Sequence, residues 1–187
     1  MTRSHRGARR PEEPGGHPED DPGDPESVAR AICLRQLTIA PKTRAQLAET
    51  LARKGIPDEV AERVLTRFGE VGLIDDATFA QAWVSSRHHG RGLARRALSV
   101  ELHRRGVDPQ TARDAVETLD PQTEEETARA LVRRKLRSLR SVTPEVRTRR
   151  LLGLLARKGY GAGLAYRIVR EEVGADAEEL PDEVPYD

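Results

Sequence analysis

The sequence predicts an all-α protein, an elongated, curved array of three tandem three-helix repeats between disordered tails. Three observations lead there. Ala, Leu, Arg and Glu, all good helix formers, recur throughout, whereas aromatic residues make up only 3% of the chain. No stretch alternates apolar and polar residues as a half-buried strand would. One six-residue phrase occurs three times, as LARKGI at 51–56, LHRRGV at 102–107 and LARKGY at 155–160.

Aligning Gly55, Gly106 and Gly159 brings the flanking positions into agreement. Leu51, Leu102 and Leu155 stand four residues upstream, and Leu47, Leu98 and Leu151 eight upstream, a ladder along one helix face. Downstream, Ala61, Ala112 and Ala165, then Val64, Ala115 and Ile168, resume the apolar spacing of a further helix. The segments ARAICLRQL, FAQAWVSSR and ARALVRRKL supply an earlier one in each unit. In the phrase itself, Arg or Lys suits the negative end of a helix, and Gly adopts the left-handed conformation that a tight exit requires. The phrase therefore reads as a structural joint. A phosphate-binding loop would have glycines leading from a strand into a helix.

The elements follow in order. Residues 1–26 are dominated by Pro, Gly and acids, with too little apolar area to repay ordering, and are expected to be a disordered tail. Repeat 1, over 27–75, contains a capping-box spacing at Thr43 and Gln46 ahead of its second helix. Repeat 2, over 76–119, opens at Asp75-Asp76 and has Pro109 just after the N-cap Asp108. Repeat 3, over 120–174, shows the same device at Asp120-Pro121 and Thr143-Pro144, with a second capping-box spacing at Thr123 and Glu126. Residues 175–187 are expected to be a disordered acidic tail. Units of this size are marginal alone and must lean on one another, giving a body about 70–90 Å long.

Composition narrows the function. A lone Cys33 leaves no internal disulfide, and with no apolar leader or spanning segment the chain reads as cytoplasmic, without membrane contact. The net charge of +1 conceals segregation: residues 27–174 hold 28 basic and 18 acidic side chains, while both flanks are acidic. That excess attracts a polyanion or an acidic protein face.

Catalytic chemistry is not indicated. Asp75-Asp76, Glu124-Glu125-Glu126 and Glu171-Glu172 are placed at helix ends, the first two where carboxylates favour a helix start. His88 and His89 are adjacent and point to different faces, Ser85, Ser86 and Cys33 lack a nucleophile's setting, and no nucleotide fingerprint occurs. The chain is expected to be a non-enzyme without cofactor or metal.

The arginines are more informative. Arg91, Arg95 and Arg96 fall in a loop and first helical turn, where positive charge opposes the dipole. On a helical wheel through 128–140, Arg129, Arg133, Arg134, Arg137 and Arg140 share one side against Ala128, Leu131, Val132, Leu136 and Leu139, a continuous basic ridge. Arg147, Arg149 and Arg150 form another early-turn cluster. Acids at i±4 are few in these stretches, so contact with nucleic-acid phosphate is expected. Scarce aromatics point to backbone contact without base reading, hence salt-sensitive, sequence-nonspecific binding of single- and double-stranded DNA.

The stretch LIDDATFAQAWVSSRHHGRGLARRALSVELHRRGVD at 73–108 resembles the central repeat of the RecX regulators of the RecA recombinase. The acidic helix start, the Phe-Ala-x-x-Trp helix, the Arg-rich turn and the Leu-x-x-x-Leu-x-x-x-Gly ending carry the resemblance, and Arg44, Leu47, Leu51, Lys54 and Gly55 extend it to repeat 1. The resemblance implies a monomeric modulator that lies in the groove of the RecA–DNA filament and restrains ATP hydrolysis, strand exchange and coprotease activity. It implies contact through Arg87, Arg91, Arg95 and Arg96, with Arg104 and Arg105 beside them. The alternative is a sequence-specific helix-turn-helix transcription regulator, since each unit contains a short-turn helix pair. Against it, no recognition helix rich in Asn, Gln and Arg is visible, nor a dimerisation heptad.

Overall fold

The computed structural model describes residues 23–178, whose secondary structure is entirely helical. Unit 1 contains α1 (Pro25–Ile39), α2 (Arg44–Arg53) and α3 (Asp58–Glu70). Unit 2 contains α4 (Asp76–Arg91), α5 (Arg95–Arg104) and α6 (Pro109–Glu117), and unit 3 contains α7 (Pro121–Leu136), α8 (Pro144–Lys158) and α9 (Ala162–Glu178). The substantial helix pairings all fall within a unit, so the chain is three bundles in sequence. Residues 1–22 and 179–187, which make up most of both expected tails, lie outside the described residues. Helix occupies the inner edge of each tail span, from Pro25 at one end and through Glu178 at the other.

Five of the helix starts have a local side-chain cap. Asp24, Asp75, Asp108 and Asp120 accept hydrogen bonds from backbone N–H groups of the first turn, and Thr43 forms a reciprocal capping box with Gln46. The second predicted box is absent: Thr123 lies inside α7, where its own N–H is capped by Asp120. That earlier carboxylate precedes Pro121 and starts the helix first.

The repeated phrase ends each middle helix in one geometry. Gly55, Gly106 and Gly159 have φ of 75°, 75° and 88°. The N–H groups of Ile56, Val107 and Tyr160 reach back to the carbonyls of Leu51, Leu102 and Leu155, and those of the glycines to Ala52, His103 and Ala156. These paired bonds are a Schellman exit repeated three times. The Leu ladder upstream is 0–1% exposed in every unit and anchors three separate apolar clusters.

In units 2 and 3 the same turn also joins one unit to the preceding one. Gly106 lies against the start of α2, where an added Cβ would overlap the Ala45 methyl, and the Thr43 hydroxyl donates to the Arg105 carbonyl at 2.6 Å. Gly159 lies against the start of α5, where a Cβ would sit 2.5 Å from the Ala97 nitrogen, and the Ala94 N–H donates to the Lys158 carbonyl at 2.9 Å. The negative end of α8 thus meets the positive end of α5, and that of α5 meets that of α2, a favourable alignment of dipoles.

The two joints differ in strength. Between units 2 and 3, Tyr160 donates its buried hydroxyl to the Gly92 carbonyl, Lys158 donates to the Arg91 carbonyl, and Ala94 enters the apolar cluster of unit 3. Between units 1 and 2, the Arg44 N–H donates to Asp76 at 2.9 Å beside the Thr43 bond, and no apolar cluster crosses.

Candidate nucleic-acid interface

The structure separates the sequence-predicted arginines into those engaged within the molecule and those left to solvent. Arg87 and Arg105 belong to the first group. Their guanidinium carbons lie 4.0 and 3.6 Å from the centre of the Trp83 ring. Two planar groups cannot both stand that close above one face, so the ring is sandwiched. The Trp83 N–H donates to Glu101 at 2.8 Å, and Arg87 lies 3.6 Å from the same carboxylate, an ion pair too long for a hydrogen bond. Burial, and then the charge of Arg87, lower the Arg105 pKa.

Arg95 is engaged with unit 3. Glu124 accepts its backbone N–H at 2.9 Å and pairs with its guanidinium, which also donates to the Leu119 carbonyl. The α5 start has no side-chain cap of its own, so Glu124 from the next unit supplies one and offsets the charge there.

Arg129 pairs with Glu125, Glu171 and Glu172, and Arg133 meets Glu172 at 2.6 and 3.0 Å. Hydrogen bonds donated to Glu125 and Glu171 raise the Arg129 pKa, and those from Arg129 and Arg167 lower that of Glu125. Glu172 is 7% exposed, and Glu171 and Glu172 lie inside α9 rather than at its end. The expected helix end lies further on, because α9 begins at Ala162 and runs to Glu178. The continuous ridge is also interrupted: α7 stops at Leu136, Arg137 is its C-cap and Arg140 follows a turn. Arg147 donates to the Arg140 carbonyl at 3.4 Å.

The second group is Arg91, Arg96, Arg104, Arg134, Arg137, Arg140, Arg149 and Arg150. All are exposed, and among the described residues none forms an ion pair. Three are in unit 2 and five in unit 3. A guanidinium with no intramolecular carboxylate keeps its whole charge for an external anion.

The sequence gives no sign of the structural role of His88. It is 1% exposed, with Nδ1 2.9 Å from the Leu93 carbonyl and Nε2 2.9 Å from the Thr127 hydroxyl. The carbonyl can only accept, so Nδ1 carries a proton, and the Nε2–Thr127 bond ties α4 to α7. Nothing local signals a bond between residues 39 apart in the chain. Among the described residues no group of three His, Cys, Asp or Glu is arranged to hold a metal, and no helix is long and apolar enough to cross a membrane.

Known proteins share this plan. Family models described as the first, second and third three-helix domains of RecX match residues 29–68, 75–116 and 123–169. The chain belongs to the RecX family. It is 62% identical over 167 residues to "Regulatory protein RecX" of Thermobifida fusca, covering 89% of each chain. Identity is 59% to the Streptomyces coelicolor protein of that name, over 88% of this chain and 89% of the relative. It is 47% to the Mycolicibacterium smegmatis one, over 88% and 90%. The RecX crystal structure from Lactobacillus salivarius superposes with a TM-score of 0.73 at 17% identity, over 79% of this chain and 96% of that one. A second RecX crystal structure gives 0.71 at 21%, over 79% and 72%. These two likenesses concern the fold; the family rests on the sequence relatives.

Proposed function

We propose that this RecX-family chain is a non-enzymatic regulator of the RecA recombinase, binding the groove of the RecA–DNA filament as a monomer and inhibiting ATP hydrolysis, strand exchange and coprotease activity. The observation that carries the reading is that eight of the sequence-predicted arginines of units 2 and 3 are exposed and form no ion pair among the described residues. They suit phosphate contact along the filament's DNA, where affinity comes from charge rather than base identity.

The test of regulation is the DNA-dependent ATPase of the cognate recombinase. Protein added well below one copy per recombinase protomer lowers it; an unchanged rate at equimolar protein rejects the reading. The DNA surface has its own test. Replacing Arg96, Arg149 and Arg150 together with Ala weakens binding to a fluorescent single strand and lowers the slope of log affinity against log salt by about 2. Arg129→Ala instead destabilises the fold by about 1–3 kcal/mol, by stripping a partner from buried Glu172, and leaves that slope unchanged. Equal slopes for the triple variant and the parent protein would remove these arginines from the interface.

A further inference from the structure

Unit 3 presents five of the exposed arginines at one end of its bundle, and the chain leaves the fold at that same end. The ion pairs Glu125–Arg167 and Arg129–Glu171 each join α7 to α9 across 42 residues, so the two helices run side by side in one direction. Equal rise per residue then brings Glu178, the last residue of α9, level with Leu136, the last of α7. Only 159–161 separate α8 from α9, so α8 runs the opposite way and starts at this end too. Arg134, Arg137, Arg140, Arg149 and Arg150 therefore stand within ~11 Å, two helical turns along the bundle axis, of the point where residues 179–187 begin.

Charge at this end is one-sided. Residues 134–150 hold seven basic side chains and one acid, Glu145. Asp176 and Glu178, in the last turn of α9, reduce that excess from six to four, while Glu171 and Glu172 are matched by Arg129 and Arg133. The segment that follows, ELPDEVPYD at 179–187, carries four acids and no base. Extended, its nine residues reach about 30 Å, enough to pass all five arginines. Attachment to α9 holds it at a roughly millimolar effective concentration over them. Residues 1–22 suit the role less well, because they hold four arginines against five acids and adjoin unit 1.

We propose that the acidic segment 179–187 docks on Arg134, Arg137, Arg140, Arg149 and Arg150 and competes there with nucleic-acid phosphate, so that unit 3 is self-covered until a strand displaces it. Exposed carboxylate–guanidinium pairs are individually weak, and four of them hold the segment loosely enough for a polyanion of higher charge density to replace it. The proposal rests on the nucleic-acid reading above, with DNA as the competitor.

The test neutralises the segment in the full-length chain with Glu179→Gln, Asp182→Asn, Glu183→Gln and Asp187→Asn together. Affinity for a fluorescent single-stranded oligonucleotide is expected to rise about tenfold at about 50 mM salt, and the gain to shrink toward none at about 300 mM. Ending the chain at Glu178 gives the same gain. Arg137, Arg149 and Arg150 are then replaced together with Ala in both the parent and the neutralised protein. The gain is expected to disappear in that background, since the segment has lost its seat. Without DNA, the ¹H–¹⁵N signals of the Arg134, Arg137, Arg140, Arg149 and Arg150 Nε–H groups are expected to move on neutralisation, and those of Arg91, Arg96 and Arg104 in unit 2 to stay.

Equal DNA affinity for the parent and neutralised proteins overturns the docking and leaves the nucleic-acid reading standing. A gain that persists in the arginine-to-alanine background means that the segment repels DNA through its overall charge without sitting on these arginines, and it overturns the proposal. So do arginine signals that move alike in units 2 and 3. If neither protein binds the oligonucleotide at low salt, the nucleic-acid reading and the proposal fall together.

Discussion

Three glycines with nearly the same φ stand in three different surroundings, which separates the conformational need for glycine from the steric one. Gly55 has nothing within 4 Å of an added Cβ, so Gly55→Ala costs only the left-handed backbone, about 1–2 kcal/mol. Gly106→Ala adds an overlap with the Ala45 methyl, and Gly159→Ala one with the nitrogen and methyl of Ala97, neither of which can move without its helix backbone. Urea midpoints are expected to fall further for Gly106→Ala and Gly159→Ala than for Gly55→Ala. Equal losses at all three would mean that the close approaches contribute nothing. Tyr160→Phe, which leaves the buried Gly92 carbonyl without its donor, is expected to cost about 1 kcal/mol in the same assay. The αL requirement is legible in the sequence because the residue that satisfies it is local. The neighbours facing Gly106 and Gly159 are not, since Ala45 and Ala97 lie 61 and 62 positions earlier in the chain.

Helix starts carry the acid sensitivity. Asp75, Asp108 and Asp120 have pKa values lowered from 3.8, chiefly by hydrogen bonds from Thr78, Thr111 and Thr123. A carboxyl that is more acidic folded than unfolded stabilises the fold above its unfolded pKa and loses that contribution as pH falls through the depressed folded value. The thermal midpoint is therefore expected to hold from pH 7 to about 5 and to drop below about 4. Replacing the three with Asn, which still caps but does not titrate, is expected to make that acid decline shallower. An unaltered decline would assign it to other groups. Caps of this kind are written within a few residues, so most helix starts are readable in advance. The partners of Arg95, Arg129 and Arg133 are not, because Glu124, Glu171 and Glu172 arrive from later helices. An i±4 search finds Glu125 beside Arg129 and misses the rest.

Across the whole molecule the joints are unequal. Units 2 and 3 share buried His88, Tyr160 and Ala94, whereas unit 1 is attached through the Thr43 and Arg44 bonds and one glycine contact. Native-state hydrogen exchange is expected to show α4, α5, α7 and α8 opening as one cooperative body and α1–α3 opening separately at lower free energy. Uniform protection along the row would show the first joint to be as strong as the second. The number of units is legible in the repeated phrase, but the strength of their union is not, because it depends on buried contacts that the repeat does not display.

The middle helices differ at their starts. α2 and α5 begin three residues before the first Leu of the ladder, at Leu47 and Leu98, whereas α8 begins seven before Leu151. α8 therefore carries an additional turn ahead of its ladder, where α2 and α5 present Ala45 and Ala97 to the glycine of the next unit. A module inserted ahead of α1 would find Gly55 uncovered, while one appended after α9 would have to seat its glycine on a longer helix start.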